Sequence, residues 1–433
     1  AAATAATATA AVTATITAAT TTVTTRPRQL DHLTGCRFFL SLWIACNHFS
    51  VHEASHASLS LDAALRRSNV AVCAFVLLSG FVTHHAYATR PLLDRAAART
   101  FYLRRIGRVA LTTYVAMAAA LVLGILLGEA DYQLHAPHLL RCALLVENWQ
   151  LPWRGDVFWC PAGNTWTIVA LLPSWGLYPL TAAAVAAAGA TLGTVGLVAY
   201  ACALWTVEMA VPFGAFLSQT FWLSSKQHEV LYFWPVAQLT DFVIGVLASE
   251  VSRRVVVSRA AEAAEAAEAK AVDRDVRVGE ARSGDARSGG VRPPLCRARS
   301  SYGAWAALAD ASVLCVMFAC FCTPWPGYRV GWEPFFDHGL VLPLSVFLCA
   351  SACDERALCV RLLSHPALVS LGSYSFDVFL FQFPLKQLFS GLLFSSWTGE
   401  VFLLYLLTLW TIAGVYAETV EARAVAWLRR VSA

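Results

Sequence analysis

The stretch Arg37–Ser50, RFFLSLWIACNHFS, places a guanidinium and an imidazole at either end of ten residues that are almost all apolar or small. On a helix, the eleven steps from Arg37 to His48 turn about 1,100°, which leaves the two side chains only about 20° apart around the axis. The rise is roughly 16 Å, so they share a face without touching. A guanidinium in the middle of a bilayer costs about 2.5–3.5 kcal/mol or more. Either both groups face a polar interior, or Arg37 snorkels to one membrane surface while His48 sits at the other. The stretch alone leaves both readings open.

The rest of the sequence makes a membrane the expected solvent. The 433 residues are 58% hydrophobic and only 14% charged, against roughly 25% charged in soluble domains. A crossing helix needs about 20 mostly apolar residues. By that criterion about ten crossings are expected, near 36–51, 69–88, 109–127, 164–180, 183–207, 229–249, 304–322, 338–353, 366–385 and 401–416. No two-residue alternation supports a β-barrel. The expected class is therefore all-α, a polytopic membrane protein. The 183–207 run is rich in Ala and Gly, which suits close helix packing.

Lysine and arginine set the expected orientation. With Arg26 and Arg28 cytoplasmic, the second connection also faces inward and carries Arg90, Arg95, Arg99, Arg104, Arg105 and Arg108. The connection 250–303 faces the same way with eleven basic residues, as does the tail with Arg423, Arg429 and Arg430. Both termini are thus expected in the cytoplasm. The net charge of +4 follows from topology and gives no reason to expect nucleic acid.

Residues 1–29, an Ala/Thr tract, are expected to be disordered. Residues 30–420 read as one transmembrane domain, interrupted by a cytoplasmic low-complexity linker at 251–302, with a cytoplasmic tail at 421–433. Within the linker, AAEAAEAAEAK suits a solvated helix and RSGDARSGGVRPP a flexible segment. Most of the thirteen cysteines fall in apolar runs, where they act as small hydrophobes. Cys142 and Cys160 share an outward loop in which a disulfide is permitted. No Cys or His spacing suggests a metal site, and none is expected.

Six segments together resemble the acyltransferase-3 family of integral membrane O-acyltransferases. LTGCRFFLSLWIACNHF resembles that family's opening helix, with its basic residue and histidine separated by ten residues, through Arg37 and His48. VCAFVLLSGFVTHHAY (72–87) resembles its second span through Leu78, Ser79, Gly80 and Phe81. FYLRRIGRVALTTY supplies the family's Arg-x-x-Arg with Arg105 and Arg108, although Leu111 stands where proline is usual. NTWTIVALLPSWGLYPL corresponds through Trp166, Thr167, Tyr178 and Pro179, PVAQLTDFVIGVLAS through Phe242 and Gly245, and LGSYSFDVFLFQFPL to the last signature. The similarity runs in order from about 30 to 420. The departures are Leu171 in place of a glutamate, Gln382 in place of a late histidine, and Phe376 and Phe379 in place of tyrosines.

The resemblance implies acyl transfer from a cytoplasmic acyl-CoA, with acetyl-CoA the expected donor, to a hydroxyl of a carbohydrate or lipid acceptor. Acyl-CoA would be a co-substrate, with no bound cofactor. His48 is the candidate base, since imidazole suits proton abstraction near neutral pH, and Arg37 would orient the donor. Arg105 and Arg108 suit CoA phosphates, though positive-inside anchoring also accounts for them. Ser79 and Trp166 are further substrate-binding candidates; helix packing and the interfacial aromatic belt are the plainer readings. His84 and His85 are expected to be solvated at the inward interface. The intramembrane acids Asp241, Asp310 and Asp377 keep a second reading open, a transporter of an acylated or lipidic solute with a proton relay. A catalytically silent family member is a third.

Overall fold

The opening stretch folds as helix α1, Asp31–His48. In the computed structural model of the protein the described residues are 29–49, 59–128, 136–149, 159–217, 232–283, 303–323, 333–394 and 396–431. The Ala/Thr tract, the linker beyond Ser283 and Trp153 fall outside them. Asp31–Ala433 groups as one compact unit, and its described residues contain helices and no strand.

After α1 come α2 (Leu59–Arg66), α3 (Asn69–Tyr87), α4 (Arg95–Leu127) and α5 (Ala136–Ala143). Asp94 starts α4 by accepting the backbone N–H groups of Ala96 and Ala97, and Gly128 ends it in the left-handed conformation. A 3₁₀ turn, Gly163–Thr165, leads into α6 (Trp166–Leu217), and α7 follows at Pro235–Ser283. The second half comprises α8 (Ala304–Cys322), α9 (Glu333–Gly339), α10 (Val341–Cys353), α11 (Leu358–Leu363), α12 (Pro366–Ser373), α13 (Ser375–Leu388), α14 (Gly399–Tyr416) and α15 (Ala422–Val431). Short π-helical turns at Phe389–Leu393 and Ala417–Glu421 extend α13 and α14.

Among the described residues, six helical stretches are long and apolar enough to cross a membrane, or seven if the pair α12 and α13, bent by 55°, forms one span. The expected ten are not all shown. Helix α1 carries Arg37 and begins with Asp31, and α7 passes through Asp241 into the charged run after Glu250, so neither is among them. The expected boundary between the fourth and fifth crossings, at 181–182, is also displaced. The chain stays helical to Gly193, whose φ of 66° and ψ of −169° break the axis. That backbone geometry is open to glycine and costly for other residues, which explains why the Ala-rich run bends there. Helix α7 runs without interruption from its apolar first half into the AAEAAEAAEAK segment, whose side chains are exposed.

Helices α3 and α7 meet through a reciprocal glycine contact. A Cβ on Gly80 would collide with the backbone carbonyl of Phe242, and one on Gly245 with that of Leu77. Small residues that let two backbones touch are a typical basis for helix association in lipid. The Leu-Ser-Gly-Phe and Phe-x-x-Gly segments therefore pack on each other and fix the wall that presents Ser79. Beside them His84 is buried, against the expectation of solvation. Its ring lies 3.3 Å from Glu250 Oε2 and 3.2 Å from the Tyr178 hydroxyl, and Glu250 accepts from Arg253 and Arg254. The acid and phenol supply the partners that water would otherwise provide.

Candidate active site

A cavity of about 430 Å³ lies among α1, α3, α4, α6, α13 and α15. Five arginines line it: Arg37 from α1, Arg104, Arg105 and Arg108 from α4, and Arg429 from α15. No acidic side chain is among the described residues that line it. At its centre the Arg105 guanidinium donates to Ser79 Oγ at 2.9 Å and lies 4.9 Å from the centroid of the Trp175 ring. Trp175 Nε1 donates to the same Ser79 oxygen at 3.0 Å. The serine thus takes two donors and, with the indole, fixes the guanidinium plane. Arg108 is held by Glu421, a buried acid at the end of α14.

The lining changes character along the helices. Tyr87, at the end of α3, stands with the α4 arginines, whereas Val72 and Phe75 come from the start of α3. Because α1 and α3 follow each other through the short α2, this second end is the one towards which α1 carries His48. Phe75 packs against Phe379 there, with ring centroids 6.4 Å apart. Leu171, Phe376 and Phe379 all line the cavity. The three positions where the family pattern has a glutamate and two tyrosines therefore present hydrocarbon to the cavity here.

His48 is not on the cavity wall. It lies partly buried, one turn further along α13, with Nδ1 3.2 Å from Gln382 Oε1 and its ring 5.1 Å from that of Phe383. Gln382 donates through Nε2 to the Phe379 carbonyl at 2.8 Å, and its backbone carbonyl accepts from the Tyr405 hydroxyl. With the amide oriented by that donation, Oε1 faces His48 as an acceptor. The bond assigns the proton to Nδ1 and leaves Nε2 with a lone pair. Lys386 donates to the His48 backbone carbonyl at 2.7 Å and ties the end of α1 to α13. Phe379 connects the two regions: its side chain lines the cavity, and its carbonyl accepts from Gln382 and from Asn164.

The structure thus brings Arg37, Arg105, Arg108 and Ser79 together and sets His48 beyond Phe379. Trp166 stands apart from both, buried against Tyr232 and Phe233 at centroid distances of 4.9 and 4.4 Å, while its neighbours Thr167 and Ile168 face the cavity. Arg104, Trp175, Arg429 and Lys386 were not among the expected site residues. Trp175 lies one helical turn beyond Leu171, a spacing visible in the sequence. Arg429 comes from a segment expected to be a tail, and nothing local marks it.

Further along α4, beside Met117 and Ala120, Cys142 and Cys160 form the disulfide that their shared loop permits. Glu147 sits under it with Oε2 2.6 Å from Cys160 Sγ, and Thr165 donates to Oε1 at 3.0 Å. Burial pushes the Glu147 carboxyl up to about 8. A protonated Glu147 places an O–H against the sulfur, which carries no proton of its own. Of the acids considered for a relay, Asp310 caps α11 by accepting from Leu358 and Cys359 N–H.

No curated protein and no solved structure matches the chain. A family model described as an acyltransferase domain matches residues 30–417, most of the length and every segment that lines the cavity except α15. The chain belongs to the acyltransferase-3 family, a family of membrane acyl-transferring proteins.

Proposed function

We propose that the protein is a membrane O-acyltransferase that takes an acyl group from acyl-CoA, acetyl-CoA first among candidates, and passes it to a hydroxyl of a carbohydrate or lipid. The observation that carries this reading is the cavity with five arginines and no acid among the described residues that line it. Guanidinium groups bind phosphates through paired, charge-assisted hydrogen bonds, and CoA is a donor with several phosphates. The apolar far end, with Phe75, Leu171, Phe376 and Phe379, suits the uncharged pantetheine arm and acyl chain. The basic ends of the helices face the cytoplasm in this reading, which places both termini there.

Arg37 and His48 stand about 16 Å apart along α1. CoA carries its thioester on a flexible arm that can cover a distance of that order. With the phosphates held at Arg37, Arg105 and Arg108, the thioester reaches past Phe379 towards His48. His48 Nε2 then takes the proton from the acceptor hydroxyl as its oxygen attacks the thioester carbon. Collapse of the tetrahedral intermediate breaks the C–S bond, and the leaving thiolate regains the proton from the imidazolium. Gln382 keeps the ring in the tautomer this requires. Such proton transfer is worth about 10²–10⁴ in rate.

Purified protein incubated with radiolabelled acetyl-CoA and a panel of glycans and lipids tests the reading. Label transferred by the wild type and lost in His48→Ala, with acyl-CoA binding retained, supports it. Label transferred equally by His48→Ala removes the base. Solute uptake driven by a pH gradient without release of CoA would favour the transporter.

A further inference from the structure

A second group of polar residues lies outside the arginine cavity, between α6, α7 and α9. Glu208 comes from the end of α6, Asp241 from the second turn of α7, and His338 from α9. One ligand atom from each lies within 4.8 Å of the other two. His338 Nδ1 is 2.6 Å from Glu208 Oε1, and Trp205 on α6 donates from Nε1 to the His338 carbonyl at 3.0 Å, which fixes α9 against α6. The thiol of Cys73, free and fully buried, borders the group.

Asp241 has no exposed surface, and neither of its carboxylate oxygens finds a well-aligned donor among the described residues; the Glu208 carboxyl and the Cys73 thiol are the groups beside it. The second oxygen of Glu208 likewise lacks a well-aligned donor among them. The charged neighbours of Asp241 are Glu208, a like charge, and His338. Buried carboxylates are ordinarily paired or coordinated, because removing an uncompensated charge from water costs several kcal/mol. Two acids and one imidazole at this spacing form a ligand set that a cation draws together by replacing the Glu208–His338 contact.

We propose that Glu208, Asp241 and His338 bind a divalent transition-metal ion, zinc by preference. A dication neutralises two carboxylates, and the imidazole adds the nitrogen ligand that favours zinc over magnesium or calcium, which prefer oxygen alone. Water completes a tetrahedral shell. The three ligands come from three helices of both halves of the chain, so the ion would tie α6, α7 and α9 together. Its role is structural, and it stands apart from the proposed acyl-transfer residues.

Full-length protein purified in detergent, stripped with chelator and re-equilibrated with trace zinc, tests the site by metal analysis and thermal melting. The expected result is one zinc per chain, with a melting temperature raised by zinc. Asp241→Asn and, separately, His338→Gln should each lose at least tenfold in zinc affinity and lose the zinc-dependent rise. Should Asp241→Asn fail to fold, His338→Gln carries the comparison. Wild type that holds no zinc above a buffer blank, or variants that retain it, overturns the proposal. A melting temperature that follows pH but not zinc shows that the acids hold protons instead, and also overturns it.

Discussion

Gln382 faces His48 with its carbonyl oxygen, 3.2 Å from Nδ1, while its amide nitrogen is committed to the Phe379 carbonyl. The pair is formed by residues 334 positions apart in sequence. It fixes one tautomer and leaves Nε2 as the basic nitrogen. Gln382→Leu keeps the volume and removes the acceptor. Acyl transfer should fall about 10–100-fold, the usual scale for losing a group that orients a reactive imidazole. The effect should appear in kcat with the KM for acyl-CoA unchanged, whereas Gln382→Glu, which retains an acceptor oxygen, should preserve most of the rate.

Arg105 is held from two sides, by the Ser79 hydroxyl and the Trp175 ring. Arg105→Ala should weaken acyl-CoA binding about 10–100-fold, the scale of a lost charge-assisted hydrogen bond. Arg105→Lys should restore little, because an ammonium lacks the planar fork that stacks on indole and bonds serine together. Binding measured by calorimetry at two salt concentrations checks both statements, with the wild type the more salt-sensitive.

Much of this was legible from the sequence, in an uneven way. The helical class followed from apolar run lengths, and the ordered motifs singled out Arg37, Arg105 and Ser79, which the structure places around one cavity. The count of crossings did not, since the charges that α1 and α7 carry for other purposes lower the apolarity on which counting depends. The break at Gly193 was hidden inside an Ala-rich run where every residue looks alike. The separation of His48 from the cavity was invisible because it depends on Phe379, contributed by a helix more than 300 residues away. Arg429, Lys386 and the partners of Asp241, Glu208 and His338, were missed for the same reason: their neighbours are distant in sequence, and no local spacing announces them.

The contact of Gly80 with the Phe242 carbonyl leaves no room for a methyl group. Gly80→Ala should separate α3 from α7 and lower stability by about 1–3 kcal/mol, the usual cost of overpacking. Because Ser79 is its neighbour, acyl-CoA affinity should fall with it. Ala substitution at Gly176, whose Cβ would meet nothing within 4 Å, should change the melting temperature far less. Thermal melting in detergent compares the two.

Glu147 gives the fold a pH dependence that can be read independently of activity. Its carboxyl holds a proton up to about 8 in the folded protein, against an ordinary value of 4.5. The folded state therefore binds more protons than the unfolded state between these values, and stability must fall as pH rises through that window. Melting temperature should be highest below about pH 4.5 for this contribution and decline towards pH 8. Glu147→Gln should flatten the slope, and a slope unchanged in the variant would show that Glu147 is ionised in the fold.

The most direct measurement follows donor binding and acyl transfer on the same purified preparations of wild type, Arg105→Ala and His48→Ala. Wild type should bind acyl-CoA and transfer its acyl group. Arg105→Ala should lose affinity, and His48→Ala should keep affinity while transfer drops by 10²-fold or more. Undiminished transfer by a folded His48→Ala variant would contradict the assignment of that imidazole as the base.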